Sequence, residues 1–180
     1  MDHDTTRLAF PRPAKTANYS DGLLDGGDLV RRIYSARGHA LEAVLEEAFN
    51  KANAPLVKLD TGGAPGRPDY LIQLENFPSI VAEVKSREAD DKYIIFNATT
   101  EVLAASELLG RGRDFCLTIC SPAVDPSVSG NIEGSGRLCV VDISDLCDAL
   151  VRVWLGELSL EDLHNWLTRP GIALMSDLAA

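Results

Sequence analysis

Apolar residues recur along this chain in two rhythms. Leu41, Val44, Leu45, Ala48 and Phe49 repeat at three- and four-residue intervals, which predicts an amphipathic helix over 37–49. Val102, Leu103, Ala105 and Leu109 do the same over 97–109, with Gly110 as the stop. Two more helices follow, over 146–155 and from Ser159. In the second, Ser159 and Asp162 have capping-box spacing, Leu160, Leu163, Trp166 and Leu167 form the apolar face, and Pro170-Gly171 ends the pattern. The second rhythm is alternating or continuous, rich in residues that favour strands, and predicts strands over 56–59, 66–74, 80–86, 115–120 and 138–141. Glu75-Asn76-Phe77-Pro78 reads as the turn of a hairpin between the second and third of these.

Strands alternating with helices imply an α/β fold, a central mixed sheet flanked by helices. Residues 1–22 mix prolines with small polar residues and read as a tail or linker ahead of one domain over 23–175. Asp25-Gly26-Gly27-Asp28 marks a break before 29–34, a short helix or the first turns of the next one. The stretch 123–136, rich in Ser, Gly and Pro, is expected to be a mobile loop. Trp154 and Trp166 follow helical stripes and are expected in the core.

The hairpin carries the chemistry. Side chains alternate along a strand, so Glu83 and Lys85 share a face that Ala82 and Val84 do not. Residues paired directly across antiparallel strands also share a face. Asp69 therefore joins Glu83 and Lys85 if it pairs with either of them, and is lost to the other face if it pairs with Val84. Two carboxylates converging at a strand end suit Mg²⁺, a hard cation that keeps several waters and binds phosphate oxygens. A neighbouring ammonium can orient an attacking water and offset charge building on a phosphate.

Pro68-Asp69 followed by Glu83-Val84-Lys85 resembles the core motif of the PD-(D/E)xK nuclease superfamily. Within that superfamily, three segments are similar to the cleavage domain of FokI-type restriction endonucleases and to related cleavage modules of bacterial defence proteins. They are the glycine-rich approach 61–69, the segment 80–85, and the tail from strand 138–141 through the last two helices. The resemblance implies a restriction-endonuclease-like core over roughly residues 38–170 and a metal-dependent nuclease that cuts phosphodiester bonds by in-line attack of water. It further implies that Asp69 and Glu83 hold Mg²⁺, with Mn²⁺ able to substitute, that the Val84 carbonyl adds a ligand, that Lys85 assists the water, and that Glu42 completes or orients the site. Alone, Glu42 would read as a solvated helix-face glutamate, like Glu46 and Glu47. FokI-type modules have aspartate where Glu83 stands, and they are joined to a separate DNA-recognition domain, which these 180 residues are not expected to include. A module of this kind needs a homodimer, or a fused or separate targeting partner, for double-strand breaks.

Composition adjusts this picture. At 180 residues, 46% hydrophobic and with mean hydropathy near zero, the chain can bury a core. No run approaches a membrane span and the N-terminus lacks a signal-peptide pattern, so a cytoplasmic protein without membrane contact is expected. Cys116, Cys120, Cys139 and Cys147 form no CxxC pair and read as buried, reduced thiols. The net charge of −10 disfavours a polyanion, but it is uneven. Residues 1–113 hold 14 Lys and Arg against 17 Asp and Glu, whereas 114–180 hold 3 against 10. DNA is the expected substrate, with RNA left open, and it should approach the first part, where Arg31, Arg32, Arg37, Arg67, Lys85, Arg87, Lys92, Arg111 and Arg113 lie. The sequence has neither the phosphate loop of an NTPase nor a GxSxG elbow, and His3, His39 and His164 lack triad partners. The competing reading is a catalytically degenerate module that keeps the fold for nucleic-acid binding or oligomerisation.

Overall fold

The computed structural model describes residues 27–29, 31–33, 36, 38–54, 56–59, 66–86, 94, 96–121 and 124–178. The expected tail 1–22 and the glycine-rich stretch 61–65 lie outside the described residues, as do Arg37, Arg87 and Lys92. Residues 27–29 and 31–33 are helical. The chain then runs through α1 (His39–Lys51), β1 (Leu56–Lys58), β2 (Tyr70–Ile72), β3 (Ile80–Ser86), α2 (Phe96–Leu108), β4 (Phe115–Ser121), α3 (Ser129–Glu133), β5 (Leu138–Asp142), α4 (Ile143–Trp154), α5 (Leu160–Thr168) and β6 (Gly171–Ala173).

The six strands form one sheet in sequence order, β1-β2-β3-β4-β5-β6. β1, β2 and β3 are antiparallel neighbours; β3 to β6 run parallel. The sheet is therefore mixed, as expected, and its two halves meet at β3. Antiparallel neighbours can be joined by a tight turn, and Asn76 makes the one between β2 and β3 at φ +67°, a conformation asparagine tolerates better than most residues. Parallel neighbours need a crossover, which α2, α3, α4 and α5 supply.

Each face of the sheet has its own core. Leu41, Leu45, Ala48 and Phe49 of α1, Leu146 and Leu150 of α4, and Leu163 and Trp166 of α5 pack with Tyr70, Ile72, Ile80 and Ala82 of the hairpin. On the opposite face Val102 of α2 and Ile132 of α3 pack with Leu71, Val81, Cys116 and Val140. Successive residues of β2 and β3 thus enter different cores, as strand alternation requires. All four cysteines are free and buried, and burial pushes the thiols of Cys120, Cys139 and Cys147 up to about 12.

Helix ends follow local chemistry. The Ser159 hydroxyl accepts from the Asp162 amide and Asp162 returns a carboxylate to the Ser159 amide, the capping box read from sequence. α4 begins at Ile143, three residues before the expected start, because the Asp142 side chain caps it by accepting from the Ser144 amide. His164 of α5 is buried; its Nε2 donates to the Pro78 carbonyl at 2.9 Å while the ring stacks on Phe77. The hairpin turn is thereby fastened to the last helix. Trp166 is buried in the core, and half-buried Trp154 carries the Lys51 ammonium 4.4 Å over its ring.

Within the stretch 123–136, expected as a loop, lie a 3₁₀ turn (Pro126–Val128) and α3, whose Ile132 is fully buried. Five residues are too few to display a helical period. β6 was likewise invisible behind the Pro170-Gly171 stop. It pairs parallel with β5 and opens at Gly171, which has φ +120° and lies so close to α3 that an added Cβ would stand 2.9 Å from Glu133 Cγ.

One half-buried acid on α4 works against the fold. Burial, opposed by Arg152 and reinforced by Asp145 and Glu157, pushes the Asp148 carboxyl up to about 6, and its Oδ1 is buried without a hydrogen bond. The folded chain holds this proton more tightly than the unfolded chain. Stability should therefore fall as pH rises from the ordinary 3.8 to about 6, with the full cost present above that. Asp148→Asn is expected to stabilise the protein by about 1–2 kcal/mol at neutral pH, or about 2–8 °C in melting temperature, and by little near pH 4. Thermal melts of both proteins at the two pH values check this.

Candidate active site

The β2/β3 register pairs Tyr70 with Ala82, Leu71 with Val81 and Ile72 with Ile80. Continued by one residue, it sets Asp69 across from Glu83, on the face that Glu83 and Lys85 share. Direct contacts agree. The Val84 amide donates to Asp69 Oδ2 at 2.7 Å, so the aspartate's own carboxylate ties the two strand ends together. Gly66 turns the chain at φ +79° just ahead of Arg67-Pro68-Asp69, a conformation that favours glycine. Pro68 is buried, and its ring fixes the backbone entering Asp69. The contact recorded between Val84 and Asp69 runs through the Val84 amide.

Lys85 bends its ammonium back onto its neighbour, with Nζ 2.5 Å from Glu83 Oε1. A second carboxylate closes from above the sheet: Lys85 Nζ also donates to Glu101 Oε2 at 2.5 Å. The side chains of Glu83 and Lys85 are only 14% and 21% exposed, against 60% for Glu101, so the inner pair is shielded and the outer partner wet. Burial raises the Glu83 pKa; Lys85 opposes this, while the charges of Asp69 and Glu101 add to it, and the net shift is upward. For Lys85 burial pulls downward, but the hydrogen bonds to Glu101 and Glu83 outweigh it and the ammonium is held more firmly than in water.

Glu101 is the residue that sequence reasoning missed. A helix returning from the C-terminal end of β3 starts near Lys85, so an acid in its early turns lies within reach of that lysine. The placement is anchored by Thr118 of β4, which stands beside Glu83 in the register and donates its buried hydroxyl to the Thr99 carbonyl of α2 at 2.7 Å. Thr99, Val102 and Ser106 form the buried stripe of α2. Glu101, one residue before Val102, lies at the edge of that stripe and reaches the sheet end.

Glu42 has other company. Its carboxylate pairs with Lys58 Nζ at 3.2 Å and with His39 Nδ1 at 3.7 Å. Glu46, one turn on, accepts from the Tyr70 hydroxyl at 2.9 Å. Lys58 pairs across β1/β2 with Tyr70, so this cluster lies on the Tyr70 face of the sheet end, whereas Asp69, Glu83 and Lys85 lie on the other. Among the described residues no group of three or more His, Cys, Asp and Glu side chains is gathered as metal ligands. The structure thus brings Asp69, Glu83 and Lys85 together and leaves Glu42 with Lys58.

Several cations expected to face a nucleic acid are engaged elsewhere. Arg32 forms a two-pronged pair with Glu47, at 2.7 and 2.9 Å, and also binds Asp28, while Arg111 pairs with Asp114 at 2.8 Å. No helix among the described residues is long and apolar enough to cross a membrane.

No protein-family model matches this chain, and no curated protein does. Solved structures do. The structure of restriction endonuclease FokI superposes with a TM-score of 0.59 over 89% of this chain, at 12% sequence identity. The structure of FokI bound to DNA gives 0.55 over the same share, at 11%. The fold is restriction-endonuclease-like. At such low identity the likeness extends to the fold, and this chain spans 34% of the FokI chain.

Proposed function

We propose that this domain is a divalent-metal-dependent nuclease that hydrolyses phosphodiester bonds of DNA, the cleavage module of a bacterial restriction or antiphage defence protein. The observation that carries the reading is the β2/β3 register, which sets Asp69 across from Glu83 with Lys85 on the same face. That FokI is a restriction endonuclease with a DNA-bound structure supports the substrate class.

The donor set suits Mg²⁺. Asp69 and Glu83 offer hard carboxylate oxygens at one strand end, the ligand type that Mg²⁺ takes. When bound, the ion would act as a Lewis acid toward the phosphate and lower the pKa of a water. This chain's part is then concrete. Asp69 and Glu83 hold the ion, the Val84 carbonyl is a further candidate ligand, and Lys85 keeps an ammonium where an attacking water must be oriented and phosphate charge offset. Glu42 would join only by leaving Lys58. A single site of this kind cuts one strand, so double-strand breaks would need a homodimer or a targeting partner.

The test is incubation of the purified chain with supercoiled plasmid and, separately, with RNA, in Mg²⁺, in Mn²⁺ and in EDTA. Metal-dependent nicking of the plasmid, abolished by EDTA, is expected. Nicking in EDTA would reject the mechanism; inertness in both metals would favour the degenerate-scaffold reading, and cleavage of RNA alone would reassign the substrate.

A further inference from the structure

We propose that Glu101 is a positioning residue that holds Lys85 at the site from the helix side, so that the ammonium stays in place when Glu83 is committed to a metal ion. The inference rests on the nuclease reading and adds a residue to it.

The physical problem lies in the Glu83–Lys85 contact. The only carboxylate that Lys85 touches from its own strand is the one the metal would claim. A carboxylate oxygen coordinating a divalent cation has less negative charge to give to an ammonium, and two cations sharing that carboxylate repel one another. Lys85 ends in a flexible four-carbon stem and would swing into water unless something else held it. Glu101 is placed to do so. Its Oε2 is 2.5 Å from Lys85 Nζ and comes from a different element, α2. The helix backbone that carries Glu101 is held by the Thr118 hydroxyl on the Thr99 carbonyl, and by Val102 and Ser106, both fully buried. α2 is thus pinned to β4 beside Glu83, and the acid that reaches Lys85 stands on a rigid element rather than a loop. A solvated surface pair would be a weaker arrangement, because exposed ion pairs contribute little. Here the lysine end of the pair is shielded and meets carboxylates from two elements, β3 and α2.

The discriminating variants are Glu101→Ala, which removes charge and acceptor, and Glu101→Gln, which keeps a carbonyl acceptor. Three readouts are taken on the full chain: kcat and KM for plasmid nicking, the Mn²⁺-induced rise in melting temperature, and the rate at which Lys85 is acylated by acetic anhydride, followed by peptide mass spectrometry with and without Mn²⁺. For Glu101→Ala we expect kcat to fall about a hundredfold with KM unchanged or lower, the metal shift kept, and Lys85 acylated several-fold faster in Mn²⁺. Glu101→Gln should recover part of kcat. An unchanged kcat with a lower KM would overturn the proposal, since that is what removal of a solvated acid facing a polyanion does. Loss of the metal shift would overturn it too, by making Glu101 a ligand. Should the wild type neither cleave nor respond to metal, the nuclease reading falls by itself; Lys85 acylation without metal then decides, and an unchanged rate in Glu101→Ala sinks the Lys85 clasp.

Discussion

Lys85→Ala is expected to lower plasmid nicking by about a thousandfold or more while the protein stays folded. The loss should fall on kcat, because the ammonium acts on the attacking water and on charge that builds during reaction. The structure adds a stability term. Without Lys85, the Glu83 and Glu101 carboxylates face one another with no cation between them, and Glu83 is mostly buried. Removing one partner of a half-buried pair should cost about 1 kcal/mol, or about 2–4 °C in melting temperature for a domain of this size. The metal-induced shift should survive, since Asp69 and Glu83 remain. Nicking at the wild-type rate would remove Lys85 from the mechanism, and loss of the far-ultraviolet circular dichroism signal would make the variant uninformative about chemistry, leaving Lys85→Arg and Lys85→Met to decide.

Saturating Mn²⁺ should stabilise the wild type by about 2.7 kcal/mol at a hundredfold excess over its dissociation constant, since only the folded chain assembles the site. That corresponds to a rise of about 5–10 °C in melting temperature. The shift should grow with pH. The Glu83 pKa is raised in the folded chain, so the metal-free protein loses stability as pH climbs from the ordinary carboxylate range through the raised value, and a cation relieves that loss. Asp69→Asn is the sharper variant than alanine here. Asparagine keeps an oxygen to accept the Val84 amide, so the strand ends stay tied while a metal-binding charge is gone. It should abolish most of the shift and leave the metal-free protein as stable as the wild type or more so. A differential scan at several Mn²⁺ concentrations measures both, and an equal shift in Asp69→Asn would move the metal elsewhere.

The parts of this architecture that sequence made legible are those written in long periods. α1, α2 and α5 each carry a helical stripe, and the capping box of α5 is visible as Ser159 and Asp162. The register that unites Asp69 with Glu83 could be stated only as a condition from the sequence, because hairpin pairing depends on turn geometry, and Asn76 in its left-handed conformation fixes it. β6 and α3 were illegible because each is too short to show a period and depends on the other's packing at Gly171. The side of the sheet on which Glu42 lies was hidden for a different reason. A helical stripe tells which residues face a sheet but not which face of the sheet they meet, and here α1 meets the Tyr70 face. Glu101 was obscured by its own type, since an acid on an exposed helix flank looks the same with or without a lysine opposite.

The bond from His164 to the Pro78 carbonyl spans 86 positions, and this gives the hairpin a history as well as a place. Asp69, Glu83 and Lys85 are all present once residue 85 has been made, yet α5, to which their hairpin turn is fastened, is made much later. On a ribosome, therefore, most of the sheet is synthesised before the hairpin can be fastened. The nascent chain is then expected to carry its acids and lysine on a hairpin whose turn is fastened only when α5 packs over Phe77.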